Sequence, residues 1–171
     1  MLSSFNGKER IVMRREAGLR ARSRLFALTA VMALWGVQAM AVDGLTTLPS
    51  SHGPKETMNR FEADVKAKGM TVFARIDHAA GAAAAGLPLR PTELLIFGNA
   101  KGGTPLMQSV QTTGIDLPLK ALVWQDRSGK TWLSYNDPGW LAKRHGHPVD
   151  AAVSAMAGAL DALARASTTS P

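Results

Sequence analysis

The residues LKALVWQDRSGKTWLSYN, at positions 119–136, give the clearest structural signal in the chain. Leu119 to Gln125 and Thr131 to Tyr135 are rich in the apolar, β-branched and aromatic residues that favour strands. Between them, Asp126-Arg127-Ser128-Gly129 is a polar turn that ends in a glycine, the residue that tolerates a positive φ. The stretch therefore predicts a β-hairpin.

Upstream of this hairpin, strands alternate with short helices. Met70 to Asp77 alternates apolar with polar residues, as a strand does, whereas Leu94 to Phe97 is apolar on both faces, which is typical of a central strand. Leu45 to Leu48 fits a short edge strand. Helices are expected from Pro54, from His78, from Pro105 with Thr104 as its cap, from Pro138, and from near Pro148. Together these elements predict an α+β two-layer sandwich with a sheet of four or five strands; the alternative is a mixed α/β sheet.

The first 41 residues have the pattern of an export signal. Three arginines at positions 20–24 precede the apolar segment Leu25 to Val37, and Ala39-Met40-Ala41 offers the small residues that a signal peptidase requires. The apolar segment is shorter than the roughly 20 residues of a membrane span. We therefore expect cleavage after Ala41 and a periplasmic protein. The true start could be Met13.

Charge and cysteine content narrow the classes of function. The chain has a formal charge of +7, and residues 1–41, with seven basic and two acidic residues, contribute most of it. The rest of the chain is only weakly basic, so nucleic-acid binding is disfavoured. Cysteine is absent, which excludes disulfides, thiol nucleophiles and thiolate metal ligands. We identify no cofactor motif, and the sequence implies no metal.

The remaining residues suffice for one domain with a substantial core. We divide them into a polar lead-in at 42–53, a single α+β domain at 54–166 and a disordered tail at 167–171. On the last helix, one apolar stripe must lie against the sheet or a partner; it consists of Val149, Val153, Met156, Leu160 and Leu163. A homodimer through this helix is therefore one hypothesis.

Two polar groups follow predicted strands. Asp77 and His78 stand where a strand enters a helix, and Glu93 could approach from the next strand, so this group is a candidate acid/base pair. The alternative is that Asp77 caps the helix beside a buried, hydrogen-bonded histidine. Asn99 and Lys101 lie in the loop GNAKGGT, where backbone amides, a helix dipole and the lysine could hold an anion. The lysine precedes the paired glycines, so the loop is not a nucleotide P-loop.

Other conspicuous side chains have simpler explanations. His145 and His147 flank a glycine at a predicted helix end, and two histidines without cysteine make a poor metal site. The aromatic residues around the hairpin are expected to pack in the core, with a ligand-facing patch as the alternative; they are Trp124, Trp132, Tyr135 and Trp140.

Two long runs carry a family resemblance. TVFARIDHAAGAAAAGLPLRPTELLIFGNAKGGTPLM spans Thr71 to Met107, and DLPLKALVWQDRSGKTWLSYNDPGWLAKRHG spans Asp116 to Gly146. The motifs DHA, LxxFGN, GTPLM, DLPL and YNDP, in this order, resemble the domain of unknown function 302 family (DUF302), with Ala100 where many members place proline. The resemblance covers roughly Leu45 to Gly146. It implies a compact α+β domain of bacteria and archaea without an established activity, and it supplies no catalytic residue.

The leading hypothesis is a periplasmic binding or accessory protein. It would hold a small anionic ligand through Asp77, His78, Asn99 and Lys101, because binding residues concentrate in loops that follow strands. One alternative is an enzyme that uses His78 with Asp77 or Glu93 as acid and base. The other is a dimer or a component of a complex, without nucleic acid and without a stable membrane span.

Overall fold

The computed structural model describes residues 42–170. The predicted export signal, its cleavage after Ala41 and the alternative start at Met13 lie outside the described residues, as does Pro171. Between residues 42 and 170, no helix combines the length and the hydrophobicity that crossing a bilayer requires.

Five strands form one sheet in this part of the chain. They are β1 (Leu45–Pro49), β2 (Thr71–Asp77), β3 (Thr92–Gly98), β4 (Leu119–Gln125) and β5 (Thr131–Asn136). Their order in space is β1-β5-β4-β3-β2, and each neighbouring pair is antiparallel. The predicted hairpin is confirmed as β4 and β5, with Gly129 at a φ of +84° in the turn.

Helices connect the strands and cover one face of the sheet. They are α1 (Pro54–Ala67), α2 (His78–Ala84), α3 (Ala100–Ser109), a 3-10 turn (Gln111–Ile115), α4 (Pro138–Arg144) and α5 (Ala151–Thr168). Helix α1 packs across β2 to β5 and against α5, which also contacts β1. The predicted α+β fold is confirmed. Because all strand pairs are antiparallel, the mixed α/β alternative does not apply.

The core lies between α1, α5 and the covered face of the sheet. Leu95 and Phe97 of β3 are fully buried there, whereas the intervening Ile96 faces the other side and is half-buried. On α1, Met58, Phe61 and Val65 recur at spacings of three and four, and all three are buried in the same core. The ring of Phe61 meets that of Phe97 edge to face, with centroids 5.3 Å apart.

Two element boundaries differ from the prediction. Helix α3 begins at Ala100 and not at Pro105, because the side chain of Asn99 caps it; Pro105 therefore lies inside the helix. The predicted disordered tail is wrong at its start, since α5 continues through Ser167 and Thr168. These two residues are buried, and their hydroxyls donate to carbonyl groups one turn earlier in the helix.

Candidate functional site

The register of β2 and β3 places the candidate residues at opposite ends of the sheet. Asp77 stands opposite Glu93 at one end, and Thr71 stands opposite Gly98 at the other. Because antiparallel strands finish at opposite edges, the residues after β2 and those after β3 are separated by the length of a strand, about 20 Å at ~3.3 Å per residue. Asp77 and His78 therefore form no common site with Asn99 and Lys101.

We name the two ends of the sheet by their contents. The turn end carries Asp77, Glu93 and the hairpin turn at Asp126. The cavity end carries the start of β2, the end of β3 at Gly98 and the start of β4 at Leu119.

At the turn end, Asp77 is a helix cap. Its Oδ1 accepts a hydrogen bond from the backbone N–H of Ala80 at 2.8 Å, as the capping alternative predicted. His78 is exposed, so the expectation of a buried histidine is wrong. Within residues 42–170, its ring has no hydrogen-bond partner and no ion-pair partner.

Glu93 is committed to an ion pair with Arg75. Its carboxylate accepts from Nε and, at 3.0 Å, from Nη2 of Arg75, and the same guanidinium donates to Glu62 at 2.9 Å. Glu93 is the main cause of a raised pKa at Arg75, whereas Lys66 and then Arg75 lower the pKa of Glu62. The acid/base group around His78 is therefore not assembled.

At the cavity end, the loop expected to bind an anion has already used its amides. The Oδ1 of Asn99 accepts from the N–H of Lys101 at 2.8 Å. The backbone carbonyl of Asn99 accepts from the N–H groups of Gly102 and Gly103 at 3.1 and 3.0 Å. An anion at this helix start would thus find these three donors occupied.

A cavity of about 330 Å³ opens at this end of the sheet. It lies between the start of β2, the end of β3, helix α3, the segment 117–119 and helix α5. Three methionines line it from three different elements: Met70 before β2, Met107 on α3 and Met156 on α5. This site could not be predicted from the sequence, because single apolar residues in separate elements give no local motif.

Gly98 and Gly103 line the cavity without adding a side chain to its wall. A Cβ on Gly103 would lie 3.5 Å from Leu117 Cδ1 and 3.9 Å from Met107 Cε, two side chains that also line the cavity. A Cβ on Gly98 would lie 3.4 Å from Pro118 Cβ. Larger residues at Gly103 would therefore extend into the open space, which gives a physical reason for glycine in this helix.

Asp116 and His145 form a carboxylate–histidine pair next to Leu117 of the cavity wall. No motif in the sequence predicted this pair. Asp116 Oδ2 lies 2.6 Å from His145 Nε2, and the two side chains are only 14% and 9% exposed. Asp116 immediately precedes Leu117, so the pair fastens the end of α4 to the segment that forms the wall. A separation of 29 residues in the chain hides this contact from any local pattern.

The two histidines of the HGH motif serve different partners. His147 is buried, and its Nε2 lies 2.8 Å from the hydroxyl of Thr113, whereas His145 contacts Asp116. Over residues 42–170, no three histidine or acidic side chains come close enough to hold a metal ion.

The apolar stripe of α5 is used within the domain. Val153, Leu160 and Leu163 are at most 4% exposed, and Met156 lines the cavity. Val149, the first residue of the predicted stripe, lies before the helix and is 48% exposed. The rest of the stripe packs within the domain, so the dimer hypothesis loses most of the feature that motivated it.

The aromatic residues around the hairpin also find partners inside the fold. Trp124 stacks on Trp132 with centroids 6.1 Å apart. The indole N–H of Trp132 donates to Asp126 at 2.8 Å, and that of Trp124 donates to Ser134 at 2.9 Å. These contacts favour packing over a ligand-facing patch.

Over residues 42–170, the protein is thus a small α+β domain with a largely apolar cavity at one end of an antiparallel sheet. The family model described as "Domain of unknown function DUF302" matches residues 46–163. The chain belongs to this family, as the resemblance implied.

Three comparisons place the chain among known proteins. It is 56% identical over 115 residues to "Fluoride-specific ion channel FluC 1" of Brucella suis biovar 1 (strain 1330), covering 66% of this chain and 45% of that protein. "Fluoride-specific ion channel FluC 2" of Brucella melitensis biotype 1 matches with the same identity over 43% of its length. The chain thus spans less than half of these curated relatives. The crystal structure of an uncharacterized conserved DUF302 protein from Bacillus stearothermophilus shares the fold, with a TM-score of 0.60, 23% identity, and coverage of 74% of this chain and 97% of that one.

Proposed function

We propose that this protein is an exported domain that binds a small molecule in the cavity at the end of β3. The observation that carries the proposal is the cavity itself, since about 330 Å³ falls within the range of small-molecule sites. A binding or accessory role fits better than catalysis, because Asp77, His78 and Glu93 lie at the far end of the sheet.

Two variants with the same substitution test the binding function. Gly103→Leu should fill the cavity, whereas Gly158→Leu on α5 adds the same side chain at an exposed position with nothing within 4 Å of a Cβ. Thermal-shift screening of the full chain against a panel of metabolites should find compounds that stabilise the wild type and Gly158→Leu but not Gly103→Leu. If no compound stabilises the wild type, or if every shift persists in Gly103→Leu, the cavity is not a binding site.

Export is supported by the arginines, the apolar segment and the small residues of positions 1–41. Fractionation of cells that express the full chain should place a product beginning at Val42 in the periplasm. Ala41→Tyr should block this processing, because the peptidase accepts small residues at the cleavage site; Ala17→Tyr, far from the site, should not. A full-length cytoplasmic product from the wild type would contradict the proposal.

A second candidate function is that of an accessory module for a membrane channel. The Brucella relatives named as fluoride channels contain a segment that matches this chain and more than as much sequence again beyond it. The cavity itself is a poor place for fluoride, because a small hydrated anion would lose its water to apolar walls. The module would therefore act by association with the channel.

Deletion of the matching 115-residue segment from the Brucella suis protein tests this second function. We expect the truncated protein to retain this chain on an affinity column when both are produced together, and fluoride efflux from vesicles to change when the chain is added. No retention, together with efflux that does not change when the chain is added, would contradict an accessory role.

A further inference from the structure

We infer that the cavity takes an uncharged, mainly apolar molecule that carries one hydrogen-bonding group, and not a small anion. This inference rests on the proposed binding function and assigns its class of ligand. It follows from a difference between the interior of the cavity and its mouth.

The interior offers only thioether and hydrocarbon surface. Met70, Met107 and Met156 are half-buried, as are Leu117 and Leu119. No charged side chain of residues 42–170 contributes to the wall. An ion in this space would lose its hydration without an opposite charge to replace it, which is the costly way to bury a charge.

Lys101 does not alter this electrostatic picture. Its neighbours Ala100 and Gly102 line the cavity, but Lys101 itself does not. The backbone N–H groups of Lys101, Gly102 and Gly103 at the start of α3 are already bonded to Asn99. The lysine that suggested an anion is therefore missing from the cavity wall, and three of the amides that suggested one already have acceptors.

Two polar, uncharged side chains lie at the mouth of the cavity, beside the exposed ring of Phe73. Asn99 and Thr104 line the mouth and are exposed. The Oδ1 of Asn99 is occupied by its capping bond, which leaves its Nδ2 group as a donor. Within residues 42–170, neither this Nδ2 group nor the Thr104 hydroxyl has a hydrogen-bond partner. They match a hydroxyl, carbonyl or amide group at one end of a ligand.

The volume of the cavity and the flexibility of its methionine side chains determine how large the apolar part of the ligand is. A cavity of about 150 Å³ holds benzene, so a cavity of about 330 Å³ has room for a molecule of roughly twelve non-hydrogen atoms. Methionine side chains adjust to ligands of different shape because they are unbranched and flexible. A linear alkyl chain with one polar end is therefore a suitable probe.

The experiment is a titration of the full chain with n-alkanols from 1-butanol to 1-nonanol. Affinity should rise about fourfold with each added methylene, as expected for a CH₂ group that leaves water. With ¹³C-methyl-labelled methionine, the NMR signals of Met70, Met107 and Met156 should shift on binding of 1-octanol. The signal of Met58, fully buried in the core, should stay in place and serves as the internal control.

Two comparisons distinguish a neutral from an anionic ligand: the affinity for octanoate against that for 1-octanol, and the affinities of Lys101→Met against those of the wild type. We expect octanoate to bind at least tenfold more weakly than 1-octanol, and Lys101→Met to change neither affinity. Tighter binding of octanoate that Lys101→Met abolishes, or an affinity for alkanols that does not grow with chain length, would overturn the inference. In that case, compounds from the screen whose binding Gly103→Leu abolishes would retain the proposed binding function and change only its ligand. If Gly103→Leu abolishes the binding of no compound, both the binding function and the inferred ligand class are wrong.

Discussion

The two ends of the sheet differ in how their side chains are packed and paired. At the turn end, polar side chains satisfy one another: Asp77 caps α2, Glu93 pairs with Arg75, and Asp126 accepts from Trp132. At the cavity end, apolar side chains such as Met107 and Met156 remain half-buried around open space. Apart from the exposed His78, internal contacts thus account for the polar side chains at the turn end, whereas the end built from methionine and glycine offers room for a ligand.

The largest expected effect on stability is the difference between a substitution in the packed core and one at the cavity end. Phe61→Ala should lower the free energy of unfolding by about 3–5 kcal/mol, because Phe61 is fully buried against Phe97. Phe73→Ala at the cavity end should cost less than ~1 kcal/mol, since Phe73 is 58% exposed. Urea denaturation of both variants measures the contrast. Equal losses would mean that the cavity end is packed as tightly as the core.

The next largest expected loss of stability comes from weakening the Asp116–His145 pair. Asp116→Asn should lower the free energy of unfolding by about 1–3 kcal/mol, because it weakens a largely buried contact with His145. A double-mutant cycle with His145→Gln isolates this contact from the exposed Arg144, which also reaches Asp116. A coupling free energy near zero would show that the pair does not hold the wall in place.

Local patterns were sufficient for most of the fold. The hairpin, the strand after Met70 and the Asp137-Pro138 helix start all depend on neighbours within a few residues, and each is confirmed. The strict alternation of that strand is wrong beyond Val72, because its register shifts between Val72 and Ala74. The start of α3 was missed because the Thr104-Pro105 pair gives a strong helix-start signal, whereas Asn99 supplied the cap. Pro105 lies beyond the first turn of α3, where proline removes one backbone hydrogen bond, so the position of the proline did not mark the helix start.

The candidate site depended on strand direction, which local patterns do not reveal. Asp77, His78, Asn99 and Lys101 all follow strands, and they would converge only if those strands were parallel. The antiparallel pairing of β2 with β3 sends them to opposite ends. The cavity and the Asp116–His145 pair join residues from distant segments, so both require the tertiary structure.

A smaller effect tests whether Asp77 at the turn end is a cap and nothing more. Asp77→Ala should lower the free energy of unfolding by about 0.5–1 kcal/mol, because the N–H of Ala80 loses its acceptor at the start of an exposed helix. Asp77→Ser should retain most of this stability, since serine also caps helices. Binding of 1-octanol should be the same in both variants. A loss of ligand binding in Asp77→Ser would return Asp77 to the functional site and break the contrast between the two ends.

The smallest effect is a pH dependence at the hairpin turn. Hydrogen bonds from Ser128 and then from Trp132 hold the pKa of Asp126 well below its ordinary value. A carboxylate whose pKa is lower in the folded state stabilises the fold fully above the pKa of the unfolded chain, about 3.9, and loses this contribution as the pH falls through the folded value. The difference in unfolding midpoint between the wild type and Asp126→Asn should therefore be constant near neutral pH and shrink below about pH 4. Because Asp126 is only half-buried and lies in a surface turn, we expect the change to be slight, and ligand binding at the far end of the sheet should not respond to it. A difference in midpoint that stays the same down to about pH 2 would show that the hydrogen bonds of Asp126 do not depend on its charge.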